Sequence, residues 1–200
     1  MRSLQLALAA VLVAAPLPAS AVSVGSLAPG FTATDAAGRP VSLASFHGKT
    51  VVLEWTNQGC PFVGHMYSSG VMQELQRKAA ADGVVWLSVI SSAPGRQGYL
   101  SGPQVAKWKA RTEAAPADVL LDPTGALGHQ YDARTTPHMF VIDGTGKLVY
   151  AGAIDDTPST RPQDARTARN YVVLALQALK TGQPVSPAVT KSYGCSVKYP

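Results

Sequence analysis

Long charge blocks, a glycine period and internal repeats are all missing from this chain of 200 residues. Their absence excludes a collagen-like, a disordered or a repeat architecture. The 17 Lys and Arg outnumber the 12 Asp and Glu, for a formal net charge of +5, but they are scattered. Nowhere do they cluster with aromatic residues, so a nucleic-acid face is excluded and a moderately basic soluble surface remains. No apolar run reaches the roughly 18 residues that a membrane span requires. What is present is apolar material: 46% of the residues are hydrophobic, with Leu, Val and Ala dominant. That is enough for one packed core, and the chain is too short to expect two.

The first 21 residues read as an export signal, not as part of the fold. Arg2 supplies a short positive region, Leu4 to Ala15 an apolar stretch, and Ala19-Ser20-Ala21 the small residues that a signal peptidase accepts. Pro16 and Pro18 end the apolar stretch too early for a membrane helix, and no cysteine stands at the cleavage point to carry a lipid. The expected mature protein is residues 22–200, periplasmic or secreted, with a redoxin domain to residue 182 and a tail over 183–200.

Export sets how Cys60 and Cys195, the only two cysteines, are read. An oxidising compartment lets an even pair close into a disulfide. As a structural staple across so long a loop it would be worth around 5 kcal/mol in the chain-entropy picture. A working redox pair is the competing reading, and deciding between them needs both residues placed on a fold.

Phe31 to Thr34 and Val41 to Leu43 flank a turn-forming stretch and read as an N-terminal hairpin. Val51 to Thr56 follows as a strand inside the sheet, with Glu54 its one discordant residue. After Cys60-Pro61 the period changes: Val63, Tyr67, Val71, Leu75 and Ala79 recur every fourth residue, which predicts one amphipathic helix ending near Asp82-Gly83. Val84 to Ile90 is nearly continuous apolar, a strand covered on both faces. Strand, crossover helix and second buried strand make a right-handed βαβ unit and place the chain in the α/β class. A Gly/Pro/Ser-rich loop spans Ser91 to Pro103, then come a helix from about Gln104 to Glu113, a short strand at Val119 to Leu121 and a helical turn at Ala126 to Tyr131. Met139 to Ile142 and Leu148 to Ala151 flank Asp143-Gly144-Thr145-Gly146 as a second hairpin. A last helix is expected over Ala168 to Leu179, stopped by Gly182.

Cys60 thus lies where a strand hands over to a helix. Unpaired N–H groups and the positive end of the helix stabilise a thiolate there, the species that attacks disulfides and peroxides. In an open α/β sheet this carboxyl-end crevice is also where ligands bind.

The order of elements, Cys60-Pro61-Phe62-Val63 at the strand-to-helix junction and Thr136-Pro137 ahead of a strand resemble the thioredoxin fold. More closely, Asn57-Gln58-Gly59-Cys60-Pro61-Phe62-Val63, Thr136-Pro137-His138 and Tyr193-Gly194-Cys195-Ser196-Val197-Lys198 resemble exported bacterial redoxins of the alkyl hydroperoxide reductase/thiol-specific antioxidant grouping, over essentially all of the mature chain. The resemblance implies a central mixed β-sheet flanked by helices, carrying an N-terminal hairpin and a C-terminal tail. It also implies a cis-proline at 137 facing the reactive cysteine, and a groove of Pro61, Thr136, Pro137 and His138 in which Thr136 hydrogen-bonds an extended partner chain. Two departures matter. Thioredoxins carry a second cysteine three positions after the first, where this chain has Val63, so a local dithiol is excluded. Peroxiredoxins carry Thr or Ser three positions before the peroxidatic cysteine, where this chain has Asn57.

Cys60 is therefore expected to attack, and Cys195 to resolve from a distance. The residues between the last helix and Cys195 can span up to ~50 Å, against a radius of gyration of about 16 Å, so the tail can reach. Glu54 stands where thioredoxins carry a buried acid that moves protons for the thiols; the competing reading is a carboxylate on an exposed strand edge or paired with a basic residue. His65-Met66 and His138-Met139 admit a soft copper site with Cys60, set against the plainer reading of core methionines and hydrogen-bonding histidines. His47 and His129 carry no pattern. The expected activity is cofactor-free thiol-disulfide exchange with a thiol or disulfide protein and an unidentified reductant. A thiol peroxidase taking a small peroxide, and a non-enzymatic protein binding copper or a partner, are the alternatives.

Overall fold

The computed structural model describes residues 22–200. The leader read over residues 1–21 lies outside the described residues.

The N-terminal hairpin forms as β1 (Thr32–Asp35) against β2 (Pro40–Ser42). Asp35 closes its turn by accepting the N–H groups of Ala37 and Arg39 at 2.8 Å each. After one 3₁₀ turn comes β3 (Val51–Trp55), buried at all five positions. Its run of β-branched and aromatic residues suits a strand covered on both faces.

The single helix expected from the four-residue apolar period is two helices, α1 (Pro61–Ser68) and α2 (Val71–Ala81). Gly70, at φ 84°, occupies the left-handed region that breaks a helix, and α2 starts afresh from it. The apolar period survives the break because both halves pack on the same core.

β4 (Val85–Ile90) runs parallel to β3, as the βαβ reading requires. Then follow α3 (Gly102–Thr112), started by a Ser101/Gln104 capping box, β5 (Asp118–Leu121) and α4 (Ala126–Gln130). The two-residue β6 (Thr135–Thr136) precedes β7 (His138–Ile142) and β8 (Leu148–Gly152). Asp143 holds the β7–β8 turn by accepting from the N–H groups of Thr145 and Lys147. Sequence periodicity gave no sign of the short α5 (Pro162–Thr167); α6 (Tyr171–Lys180) begins where Asn170 accepts the Val173 N–H. Last comes β9 (Cys195–Ser196).

Seven strands form one mixed sheet in the order β2-β1-β5-β4-β3-β7-β8, and β6 pairs with β9 as a separate ladder. Side-chain alternation along β3 divides the core between the two faces. Val52 joins Cys60, Met66, Trp86 and Met139 on one; Leu53 and Trp55 join Leu87, Tyr131 and Phe140 on the other. The outer edge of β8 is covered by bridges from Leu27 to Lys147 and from Val189 to Ala151, so this edge is not left as a template for other chains. Among the described residues no helix is long and apolar enough to cross a membrane.

Candidate functional site

Cys60 is the N-cap of α1, with Pro61 as the first helical residue. Proline there costs nothing, since the first-turn N–H has no helical partner. The Cys60 carbonyl accepts the N–H groups of Val63 and Gly64 at 3.0 and 2.8 Å. The turn before it is fastened from two sides. Asn57 accepts the Gly59 N–H at 2.8 Å and donates to the Gln97 carbonyl at 3.2 Å, and Gln97 donates to the Gly59 carbonyl at 2.8 Å. The loop from Ser91 to Pro103 thus clamps the cysteine turn, a role that loop composition alone did not reveal.

The tail docks over this turn. β9 pairs antiparallel with β6, setting Cys195 opposite Thr136, and the Cys60 and Cys195 sulfurs, both free thiols, lie 2.7 Å apart. Cys60 Sγ is also 3.1 Å from the Thr136 carbonyl oxygen. The Thr136–Pro137 peptide bond is cis, as the resemblance implied. The groove is not open to a partner strand as the resemblance suggested: the chain's own β9 occupies it.

Tyrosines fix the tail on either side of Cys195. Tyr193 packs edge-on against Phe62 and donates to the Asp155 carboxylate. Tyr199 stacks on His129 at 4.1 Å and donates to the Ala133 carbonyl at 2.6 Å. Between them Lys198 O accepts the Ala93 N–H, tying the tail to the clamping loop as well. Neither tyrosine carried a sequence signal beyond its place in the Tyr193–Lys198 stretch. His129, unassigned from the sequence, gains its role only by this stacking.

Burial covers Cys60 almost fully, at 1% exposure, and leaves Cys195 intermediate. For Cys60, burial would push the thiol up, but hydrogen bonds from the Cys195 and Thr136 side chains and from the Cys195 and Val63 backbone outweigh it and hold it below the ordinary value. For Cys195, burial, the bond to Cys60 and the Cys60 charge act together and push the thiol up to about 11. When the pair gives up one proton it comes from Cys60, which makes that sulfur the better nucleophile and the better leaving group.

Glu54 is neither on an exposed edge nor paired with a basic residue. It lies in β3, an interior strand between β4 and β7, at 0% exposure and on the face that carries Cys60. Its carboxylate accepts from Trp86 Nε1 at 2.8 Å, Ser88 Oγ at 2.8 Å, Gln76 Nε2 at 3.2 Å and the Tyr67 hydroxyl at 3.3 Å. Burial raises its pKa against the pull of those donors.

The copper reading does not fit the side-chain placement. Period-two alternation sends Met139 to the Cys60 face and His138 to the other, where its ring lies 4.5 Å from Phe140. His65 is buried in α1, and neither ring nitrogen has a partner among the described residues. No group of three His, Cys, Asp or Glu side chains able to hold a metal occurs among the described residues.

His138 accepts the Arg134 N–H at 3.3 Å, and burial lowers its pKa to about 4. A histidine that resists protonation when folded and accepts it near pH 6.5 when unfolded costs stability as pH falls between those values, by about 3 kcal/mol in all. His138→Asn keeps an acceptor for Arg134 without the titration. Urea midpoints measured from pH 7 to 4 should fall less steeply for it than for the wild type; parallel curves would refute the assignment.

A buried thiol pair beside a cis-proline, on a mixed sheet of this topology, defines a thioredoxin-like redoxin. The AhpC/TSA family pattern matches residues 24–151, and the chain belongs to the AhpC/TSA family. Two solved structures share nearly the whole fold. A hypothetical protein from Sinorhizobium meliloti is 22% identical with a TM-score of 0.77, over 90% of this chain and 97% of the other. An uncharacterized conserved protein from Geobacillus kaustophilus is 27% identical with a TM-score of 0.76, over 89% and 93%. The pneumococcal exposed lipoprotein thioredoxin from Streptococcus pneumoniae is 27% identical with a TM-score of 0.52, over 76% and 99%. No curated protein sequence matches the chain.

Proposed function

We propose that the protein exchanges thiols and disulfides through Cys60, with Cys195 as the resolving thiol, in an oxidising compartment outside the cytoplasm. The observation that carries this is the 2.7 Å approach of two sulfurs 135 positions apart in the chain. The compartment rests on the leader pattern of residues 1–21 and on the likeness to an exposed lipoprotein thioredoxin.

In the first step β9 unpairs and the Cys60 thiolate attacks one sulfur of a substrate disulfide. A Cys60–substrate bond forms, the substrate S–S bond breaks, and the departing thiolate takes a proton. The Cys195 thiol then gives up its proton and attacks Cys60, closing the Cys60–Cys195 disulfide and releasing the second substrate thiolate. Two electrons pass from the cysteine pair to the substrate. A dithiol reductant reverses the sequence. Glu54, buried on the same face and raised in pKa, is the group that holds and returns a proton as the thiols ionise.

Asn57 favours disulfide over peroxide as substrate, because both ends of its side chain are already engaged, by Gly59 and Gln97. Reduced protein mixed with a small disulfide should lose two hydrogens by mass as the internal disulfide closes, whereas peroxide should be consumed no faster than by free cysteine. In Glu54→Gln, which keeps acceptors for Trp86 and Ser88, exchange should slow by about tenfold or more and lose its pH inflection. No closure with any disulfide removes the reading, and an unchanged Glu54→Gln profile removes the proton role.

A further inference from the structure

A second feature flanks the thiol pair on the other side of α1. A cavity of about 570 Å³ lies between α1, Gln73 of α2, the end of α3 and Arg166 of α5. Gln58, two residues before Cys60, lines it, and so does Gly64, whose N–H bonds the Cys60 carbonyl. One end of the cavity is therefore about one helical turn, ~5 Å, from the reactive residue.

Its polar lining is arranged for an anion. Arg111 and Arg166 are exposed, and neither forms a salt bridge among the described residues, while Glu113 is the single acid in the lining. Both guanidinium groups are held by neutral acceptors: Arg111 donates to Gln58 Oε1 at 3.1 Å and Arg166 to the Ser69 carbonyl. Each keeps its full charge and further N–H donors. The anchors Gln58 and Ser69 lie just before and just after α1, so the two cations reach the cavity from opposite ends of that helix.

Gln73 holds the cavity floor together. It is 7% exposed, and its Nε2 donates to the Tyr67 and Thr112 carbonyls at 2.9 and 2.6 Å, which ties α1 to the end of α3 beneath the cavity.

We propose that this cavity binds the non-reacting arm of the substrate, a short acidic peptide with carboxylates near both ends. Three extended residues span about 10 Å, on the scale of the eight-residue helix between the two arginine anchors. Arg111 and Arg166 take the carboxylates, and the end beside Gln58 leads to Cys60. The assignment rests on the exchange reading for its purpose but not for its binding.

The test uses unreactive tripeptides and the full chain. Acetyl-Asp-Ser-Asp-amide should bind in calorimetry, acetyl-Asn-Ser-Asn-amide at least about tenfold more weakly, and rising salt should erase the difference. Arg111→Ala/Arg166→Ala should lose the preference and Arg111→Lys/Arg166→Lys should keep part of it, with unfolding midpoints confirming that both remain folded. Equal binding of the two peptides, no binding of either, or a preference untouched by the double alanine variant overturns the proposal. Since neither peptide contains sulfur, binding without thiol exchange would sink the exchange reading and leave the cavity assignment standing. Thiol exchange without peptide binding would do the reverse.

Discussion

Cys195→Ser should stop the reaction halfway. Mixed with a small disulfide, the variant accumulates one adduct per chain on Cys60, while the wild type passes through that species to the internal disulfide. In the wild type the resolving sulfur is held 2.7 Å from Cys60, and Thr136 pairing, Tyr193 and Tyr199 fix its direction. Replacing so well placed an internal nucleophile by a dilute external thiol slows resolution by on the order of a thousandfold or more. Intact mass before and after reductant reads the adduct, and peptide mapping places it. A variant that forms no adduct, or turns over as fast as the wild type, contradicts the assignment of roles.

Gly194→Val is the second substitution with a large expected effect, and it acts without touching either sulfur. Gly194 sits at φ 127°, and a Cβ there would lie 2.1 Å from the Thr136 carbonyl oxygen. That oxygen belongs to the backbone of β6 and cannot swing aside as a side-chain tip would. Backbone strain of this kind alone costs about 1–3 kcal/mol, and the overlap adds to it. β9 contributes only two residues to its ladder, too few to hold against that cost. The tail should undock and expose Cys60, whose alkylation should rise by roughly a hundredfold, the rate ratio for about 3 kcal/mol. The seven-stranded sheet does not include β9, so the main unfolding transition should remain. Unchanged alkylation would mean that the tail does not shield Cys60.

The two outcomes bear on different links. The first concerns what the sulfurs do once together, and the second concerns what brings them together. The strap that covers Cys60 fills the groove beside the cis-proline, so in the proposed exchange a substrate reaches Cys60 only as β9 is released. A substrate held by the Arg111–Arg166 cavity would be retained while that event occurs.

Short apolar runs placed β3, β4, β7 and β8 to within a residue or two, because each is apolar on both faces or bounded by a glycine turn. The junction at Cys60-Pro61 was equally legible, since proline in a first helical turn is a local preference. The break between α1 and α2 was not. Apolar spacing reports which face is buried and says nothing of continuity, and a lone glycine within such a period is compatible with an unbroken helix. Glu54 announced itself as discordant, but whether it faced water or donors depended on Trp86, Ser88, Gln76 and Tyr67, which arrive from β4, α2 and α1.

The chain alone determined an α/β core, a thiol at a helix start and a second thiol on a tail long enough to reach it. Those are properties of nearest neighbours and of chain length. Only the tertiary structure decided that the tail lies in the Thr136 groove, that Cys60 is covered and its thiol held more acidic than that of Cys195, and that His138 and Cys60 fall on opposite sides of the sheet. Each of these depends on contacts between residues dozens of positions apart, where strand register and the closing of long loops, not local preference, set the geometry.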